Sequence, residues 1–164
     1  ERIRERCEPD LDFVVAEIGR VKAYRWEFYK SPEGMRVYRE RAYKKFLVDY
    51  EQQWERRYVC GMLPTLPFAQ KQFDVSLVSY LLFVYDQQEH FDYEFHRRSL
   101  LEIMRVTSRE ARIYPLVNFQ AQRCRFVDRL KADPELKQFI FTEVQTDFEF
   151  LANSNAYLKI THQR

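Results

Sequence analysis

Glycine is scarce. The 164 residues hold three, Gly19, Gly34 and Gly61, where ordinary usage of about 7% would give about 11 or 12. A phosphate cradle of the G-x-G-x-x-G or P-loop kind needs several glycines at one turn, so neither is present. Cysteine is sparse as well. Cys7, Cys60 and Cys124 are odd in number, far apart and without a C-x-x-C pair. That argues against a zinc knuckle or dithiol redox site. It fits free thiols in a reducing, cytoplasmic compartment. Long apolar runs are missing. The longest, Val75 to Tyr85, includes two serines and two tyrosines and is too short to span a bilayer. No signal peptide is visible, and no membrane partner is expected. Excess charge of one sign is missing too: 27 basic and 25 acidic residues leave +2. Arg2, Arg4 and Arg6 alternate with Glu1 and Glu5, a pattern that suits a solvated helix face. With no basic stripe, no nucleic-acid partner is expected. The chain starts at Glu1 rather than Met, as a processed product or a piece of something longer would.

What the sequence does hold is apolar and aromatic mass: 46% hydrophobic, with 14 Phe, 11 Tyr and 2 Trp. A chain of this length can bury roughly two-thirds of its unfolded surface. Residues 1–8 read as a charged helix stopped by Pro9. Asp10 then caps a second helix over 11–22, with Leu11, Val14, Val15 and Ile18 at helical spacing. Tyr24, Trp26 and Phe28 read as an aromatic connector. Ser31-Pro32 reads as a helix start, serine at the cap and proline at the first helical position. The long helix after it repeats Tyr38, Ala42, Phe46, Tyr50 and Trp54 at every fourth position. Such a stripe is either a partner-binding element or a face packed on its own domain.

Beyond that helix the period changes. Tyr58–Gly61 and Phe73–Ser79 read as buried strands. A helix over 91–106 is capped by Asp92 and faces Phe91, Phe95, Leu100, Ile103 and Val106 inward. A strand over 110–117 follows, then a helical turn over 126–130. Residues 138–146 and 155–161 pair as a hairpin across Asn153-Ser154-Asn155, with Ala156, Leu158 and Ile160 on one side. Strand, helix, strand and hairpin give an α/β fold, with helices covering a mostly parallel sheet. No linker divides the chain, so 1–164 reads as a single domain.

Metal and nucleophile patterns are weak. His90-Phe91-Asp92 with His162 downstream could offer two imidazoles and a carboxylate to iron. Oxygenases of that type use all-β folds, and a helix begins here. His90/Glu94 and Asp92/His96 share helix faces at i, i+4, and a polar helix start explains both pairs as well. No G-x-S-x-G elbow exists, and no histidine neighbours a cysteine in sequence. No metal site is expected.

The informative stretch runs from Tyr58 to Tyr85. A strand ending at Gly61 leads to Gly61-Met62-Leu63-Pro64-Thr65-Leu66-Pro67-Phe68, and Phe73-Asp74-Val75-Ser76 opens the next strand. In an open parallel sheet, ligands bind beyond the carboxyl ends of adjacent strands. This stretch resembles the middle of class I S-adenosylmethionine-dependent methyltransferases, where a G-D-A-x-x-L-P-F loop precedes F-D-x-V at the fourth strand. Downstream, Ser99 to Val106 resembles the helix leading into strand five, here Ala111-Arg112-Ile113-Tyr114, and a closing antiparallel hairpin ends the family's fold. Residues 31–56 correspond to the helical insertion of a bacterial subgroup.

The resemblance implies an incomplete Rossmann-like methyltransferase sheet, with helices on its faces and a C-terminal antiparallel hairpin. Residues 57–164 supply strand three onward. The glycine-rich first strand, and the acidic residue that holds the ribose after strand two, would precede Glu1 in a longer relative. Met62 stands where many relatives carry an aspartate. The resemblance further implies methyl transfer from S-adenosylmethionine to an unidentified acceptor by in-line displacement. Met62 and Leu63 lie beside the adenine, Ser79, Tyr80 and Leu81 at the methyl-donating end, and Tyr85 and Tyr114 on the acceptor side. It identifies no catalytic base. Core packing is the other reading of the aromatic residues, and an ordinary loop that of Met62 and Leu63. With the first strands missing, activity of the chain alone is not expected. A non-catalytic interaction module, with the long helix as a homo-oligomer or partner interface, is the alternative.

Overall fold

Ser31 starts the longest helix as its sequence predicts. Its side-chain oxygen accepts a hydrogen bond from the Gly34 N–H at 3.0 Å, and Pro32 occupies the first turn. Residues 2–163 are described by the computed structural model. They fall into two units, Glu1–Cys60 and Gly61–Arg164.

The first unit is a helical hairpin of α1 (Arg2–Arg20) and α2 (Pro32–Arg57). The Arg4–Glu51 and Asp12–Arg36 ion pairs fix the helices as antiparallel. Leu11 and Met35 are its buried apolar side chains among the described residues. Pro9 does not stop the first helix. A proline inside a helix removes one backbone hydrogen bond. Here Pro9 lies on an exposed turn, and the Arg6–Asp10 pair at 3.2 Å spans it. The stripe on α2 divides. Phe46 and Tyr50 are half-buried, whereas Tyr38 and Trp54 are exposed.

The strand expected at Tyr58–Gly61 does not form. Tyr58 ends α2, its N–H bonded to the Trp54 carbonyl at 3.2 Å and its hydroxyl donating to Asp49 at 2.7 Å. Its ring packs on Tyr50 and Phe46. The helix thus claims the first residue of the apolar run, and Val59 and Cys60 are left exposed.

The second unit is α/β. Its strands are β1 (Phe73–Ser79), β2 (Thr107–Tyr114), β3 (Phe139–Gln145) and β4 (Ala156–His162), joined by α3 (Tyr93–Val106) and the short α4 (Val127–Lys131). The sheet is mixed, in the order β1-β2-β4-β3. β1 and β2 are parallel, and β4 is antiparallel to both β2 and β3. The expectation of a mostly parallel sheet therefore fails: the closing hairpin inserts its last strand against β2 and turns two of the three pairings antiparallel. Asp92 caps α3 as expected, accepting from the Phe95 N–H at 2.7 Å. β2 starts at Thr107, directly after α3, earlier than the expected 110.

The core lies on one face of this sheet. Ala111 and Ile113 of β2, and Leu158 and Ile160 of β4, cluster with Leu100, Ile103 and Met104 of α3 and with Val127 and Leu130 of α4. Alternate positions on the other face are polar or half-exposed, including Glu110, Arg112 and Lys159. The period-two pattern of the C-terminal hairpin thus reads correctly, Ala156, Leu158 and Ile160 being its buried set.

Candidate functional site

β1 is an edge strand, and its outer edge is open among the described residues. Along that edge lies an apolar cleft of about 420 Å³. The loop before β1 walls it with Gly61, Leu63, Leu66 and Phe68. β1 contributes Ser76, Leu77, Val78 and Ser79, and Leu81 follows at the strand's carboxyl end. Ile103 and Val106 of α3 close it from beneath. Gly61 sits in a tight space at the loop's start. A Cβ there would stand 3.2 Å from Pro67 Cδ and 3.3 Å from Leu66 Cδ2, so the loop folds back tightly on the glycine. Phe68 packs edge-on against Phe73, ring centroids 4.8 Å apart.

Three of the five residues expected around the cofactor, Leu63, Ser79 and Leu81, line this cleft together. The other two do not. Met62 is 81% exposed and points to solvent. Tyr80 has φ +51°, in the left-handed region that costs a non-glycine residue about 1–3 kcal/mol. Its N–H bonds to the Tyr114 carbonyl at 2.8 Å, and its ring packs against Tyr114. The two acceptor-side tyrosines lie in separate groups. Tyr114 joins Tyr80 and Phe148 and shares a 2.9 Å hydroxyl contact with buried Ser154. Tyr85 packs between Phe91 and Phe119.

The histidine pattern is not assembled. Asp92 caps the start of α3, whereas His162 meets the Thr107 carbonyl at its far end, at 2.8 Å. The fourteen residues of α3 separate them by about 21 Å. His96 is a core residue rather than a metal ligand. It is fully buried, with both ring nitrogens against backbone carbonyls.

Two polar devices were not singled out by sequence reasoning. Asp86 is fully buried beneath the loop after β1. It accepts from Asn118 Nδ2 at 3.1 Å and from the Arg125 N–H at 3.0 Å, tying that loop to the segment before α4. Cys124, beside it, has its thiol pushed up to about 12 by burial, so it is inert as a nucleophile at neutral pH. The second device is the Glu102–Arg105 pair near the end of α3, which bonds the backbone of the 61–68 loop. Asp86 was detectable as the lone acid closing the run Leu82-Phe83-Val84-Tyr85. The i, i+3 spacing of Glu102 and Arg105 announces a pair, but its backbone targets lie far away in sequence.

No helix among the described residues is long and apolar enough to cross a membrane. No family model matches the chain, and no solved structure matches it. A curated relative does: uncharacterized protein MJ0045 of Methanocaldococcus jannaschii is 33% identical over 162 residues, which span 98% of this chain and 69% of the relative. With that identity over nearly its whole length, the chain belongs to the family of the Methanocaldococcus jannaschii protein.

Proposed function

We propose that this chain is the later part of an S-adenosylmethionine-dependent methyltransferase, and that the cleft beside β1 takes the adenosyl end of the cofactor. One observation carries the reading. Leu63, Ser79 and Leu81, drawn from two segments that the resemblance assigns to cofactor contact, line a single cleft that runs along a parallel strand. Parallel β1 and β2 followed by an antiparallel hairpin agree with strands four and five and the closing hairpin of that Rossmann-like fold.

The donor set suits part of the cofactor. Leucine, phenylalanine and glycine walls accept a flat adenine ring, and Ser79 offers a hydroxyl at the mouth. Nothing on these walls would bind the cofactor's amino-acid end. In this reading that task belongs to the glycine-rich strand of a longer relative, which would pair with the open edge of β1 beside Ser76 and Leu77 and leave the Leu63, Ser79 and Leu81 end of the cleft to the adenosyl group. When bound, S-adenosylmethionine would supply a methyl carbon made electrophilic by its sulfonium, with S-adenosylhomocysteine as the leaving group. The protein's part is alignment at near-attack distance. Tyr80, held in its strained conformation against Tyr114, fixes the backbone between Ser79 and Leu81 for that purpose. The acceptor is unassigned.

Thermal unfolding with and without excess S-adenosylhomocysteine tests the reading. At about 100 times Kd a bound ligand adds about 2.7 kcal/mol, and the expected shift is roughly 5–10 °C. A cooperative transition that does not move would reject cofactor binding by this chain. It would favour an interaction module, for which the exposed Val37, Tyr38, Val48 and Trp54 of α2 are the observation.

A further inference from the structure

We infer that Glu102 and Arg105 are positioning residues that hold the 61–68 loop as the fixed wall of the cleft. The identity of the ligand, an adenosyl group, rests on the methyltransferase reading. The grip itself rests on geometry alone.

The loop has little of its own to hold it. The Thr65 N–H bonds to the Met62 carbonyl at 3.0 Å, and Phe68 packs on Phe73. Its other backbone bonds go to α3. The Leu66 N–H donates to Glu102 Oε1 at 2.7 Å. The Arg105 guanidinium donates to the Phe68 carbonyl at 2.9 Å and to the Leu66 carbonyl at 3.3 Å. The Lys71 N–H, just past the loop, donates to the Arg105 carbonyl at 2.8 Å. Glu102 and Arg105 also bond to each other through two contacts, at 2.7 and 2.8 Å. Arg105 thereby holds the Glu102 carboxyl below the usual carboxylate range, although that side chain is only 12% exposed. The pair stays charged, and charge-assisted bonds are the stronger kind.

Placement gives the grip its role. Ile103 and Val106, on the same turn of α3, form the cleft's floor. One helical turn therefore sets both the floor and, through Glu102 and Arg105, the backbone from which Leu66 and Phe68 project into the cleft. The spacing between wall and floor decides whether a flat ring fits. Arg105 Nη2 meets both carbonyls and Glu102 Oε1 while Nε meets Glu102 Oε2, so the guanidinium grips the carboxylate through two nitrogens, which a lysine's single nitrogen cannot do.

Amide hydrogen exchange and ligand titration of the 164-residue chain, read residue by residue by NMR, separate the grip from the ligand. For Glu102→Gln and Arg105→Ala, the Leu66 amide is expected to exchange about tenfold faster or more. The Leu158 and Ile160 amides of β4 should be unchanged, which shows the fold intact. Titration with S-adenosylhomocysteine, followed at Leu63 and Leu81, should be about tenfold weaker in Arg105→Ala, with partial recovery in Arg105→Lys. Unchanged Leu66 exchange in both variants overturns the grip. Undiminished affinity in Arg105→Ala overturns the positioning role. A wild-type chain that shows no shifts at Leu63 and Leu81 overturns the adenosyl assignment together with the methyltransferase reading, and the exchange result then decides the grip by itself.

Discussion

His96 Nε2 lies 2.8 Å from the Leu82 carbonyl oxygen, so a helix side chain holds the backbone that leaves β1. Its Nδ1 faces a second carbonyl, that of Asp92, at 2.6 Å. A neutral imidazole has one N–H, so only one carbonyl can be satisfied. A charged ring would satisfy both, but burial opposes it. The carbonyls, Asp86 and Asp92 pull the pKa up, burial pulls it down, and burial prevails.

The pH consequence has a definite sign. A histidine whose folded pKa lies below its unfolded value, about 6.5, contributes its full stability above that value. The unfolded chain binds the proton first, so stability falls as pH drops below about 6.5 toward the folded pKa. Thermal unfolding of wild type should therefore decline across that window more steeply than that of His96→Gln. Parallel profiles would show that His96 is not titrating in the fold.

The carboxylate network at Glu143 works at lower pH. Arg123 and Lys131 reach Glu143 at 2.6 and 2.8 Å, and Arg123 also holds Asp128 at 2.7 Å. Hydrogen bonds from Arg123, then Lys131, lower the Glu143 pKa to about 2. Its contribution is present above the unfolded value, about 4.3, and is lost as pH falls toward about 2. Partial exposure limits the size, so Glu143→Gln should cost about 1 kcal/mol or less at pH 7. That difference should vanish in acid, as measured by denaturant unfolding at a series of pH values.

Where local chemistry decides, the sequence was readable. Ser31-Pro32 and Asp92 are caps whose partners lie three residues on, and both start the helices expected of them. The alternation of Ala156, Leu158 and Ile160 marks its buried face because one side of the sheet is packed. Tyr58–Gly61 misled because an apolar tetrapeptide fits a strand or a helix end equally, and Asp49, nine residues back, settles it. Pro9 misled because an exposed helical turn tolerates a proline. Of the site, the two loops were legible as segments flanking a strand. The side chains within them were not, since the alternation of Tyr80 with Leu81, and of Met62 with Leu63, is set by backbone turns no local pattern announces. His96 looks like a surface group in sequence and is fully buried.

The start of α2 provides a paired test of cap and close approach. Ser31→Ala removes the acceptor for the Gly34 N–H and should cost about 1 kcal/mol. Gly34→Ala should cost more. A Cβ at Gly34 would lie 1.9 Å from the Tyr29 carbonyl oxygen, so the backbone itself must shift. Ordinarily alanine in a helix gains roughly 0.5–1 kcal/mol over glycine, so a destabilised Gly34→Ala isolates the clash. A variant as stable as wild type would mean that the turn at Tyr29 relaxes freely.

Leu77 and Ile113 test what the open edge of β1 is for. They occupy paired strands one register step apart, Leu77 opposite Arg112 and Val78 opposite Ile113. Yet Leu77 is 74% exposed and Ile113 is fully buried. In this chain Ile113→Ala should cost about 2–5 kcal/mol, as a core truncation. Leu77→Ser should stay within about 0.5 kcal/mol, as a surface change. If the edge receives a further strand in a longer member of the family, as the methyltransferase reading requires, the residue there joins a central strand buried on both faces. A serine substitution at the matching position of the longer relative should then cost several-fold more than Leu77→Ser in this chain, by denaturant unfolding of each. Equal, small costs in both would leave the edge bare, and a sheet built outward from β1 would be rejected.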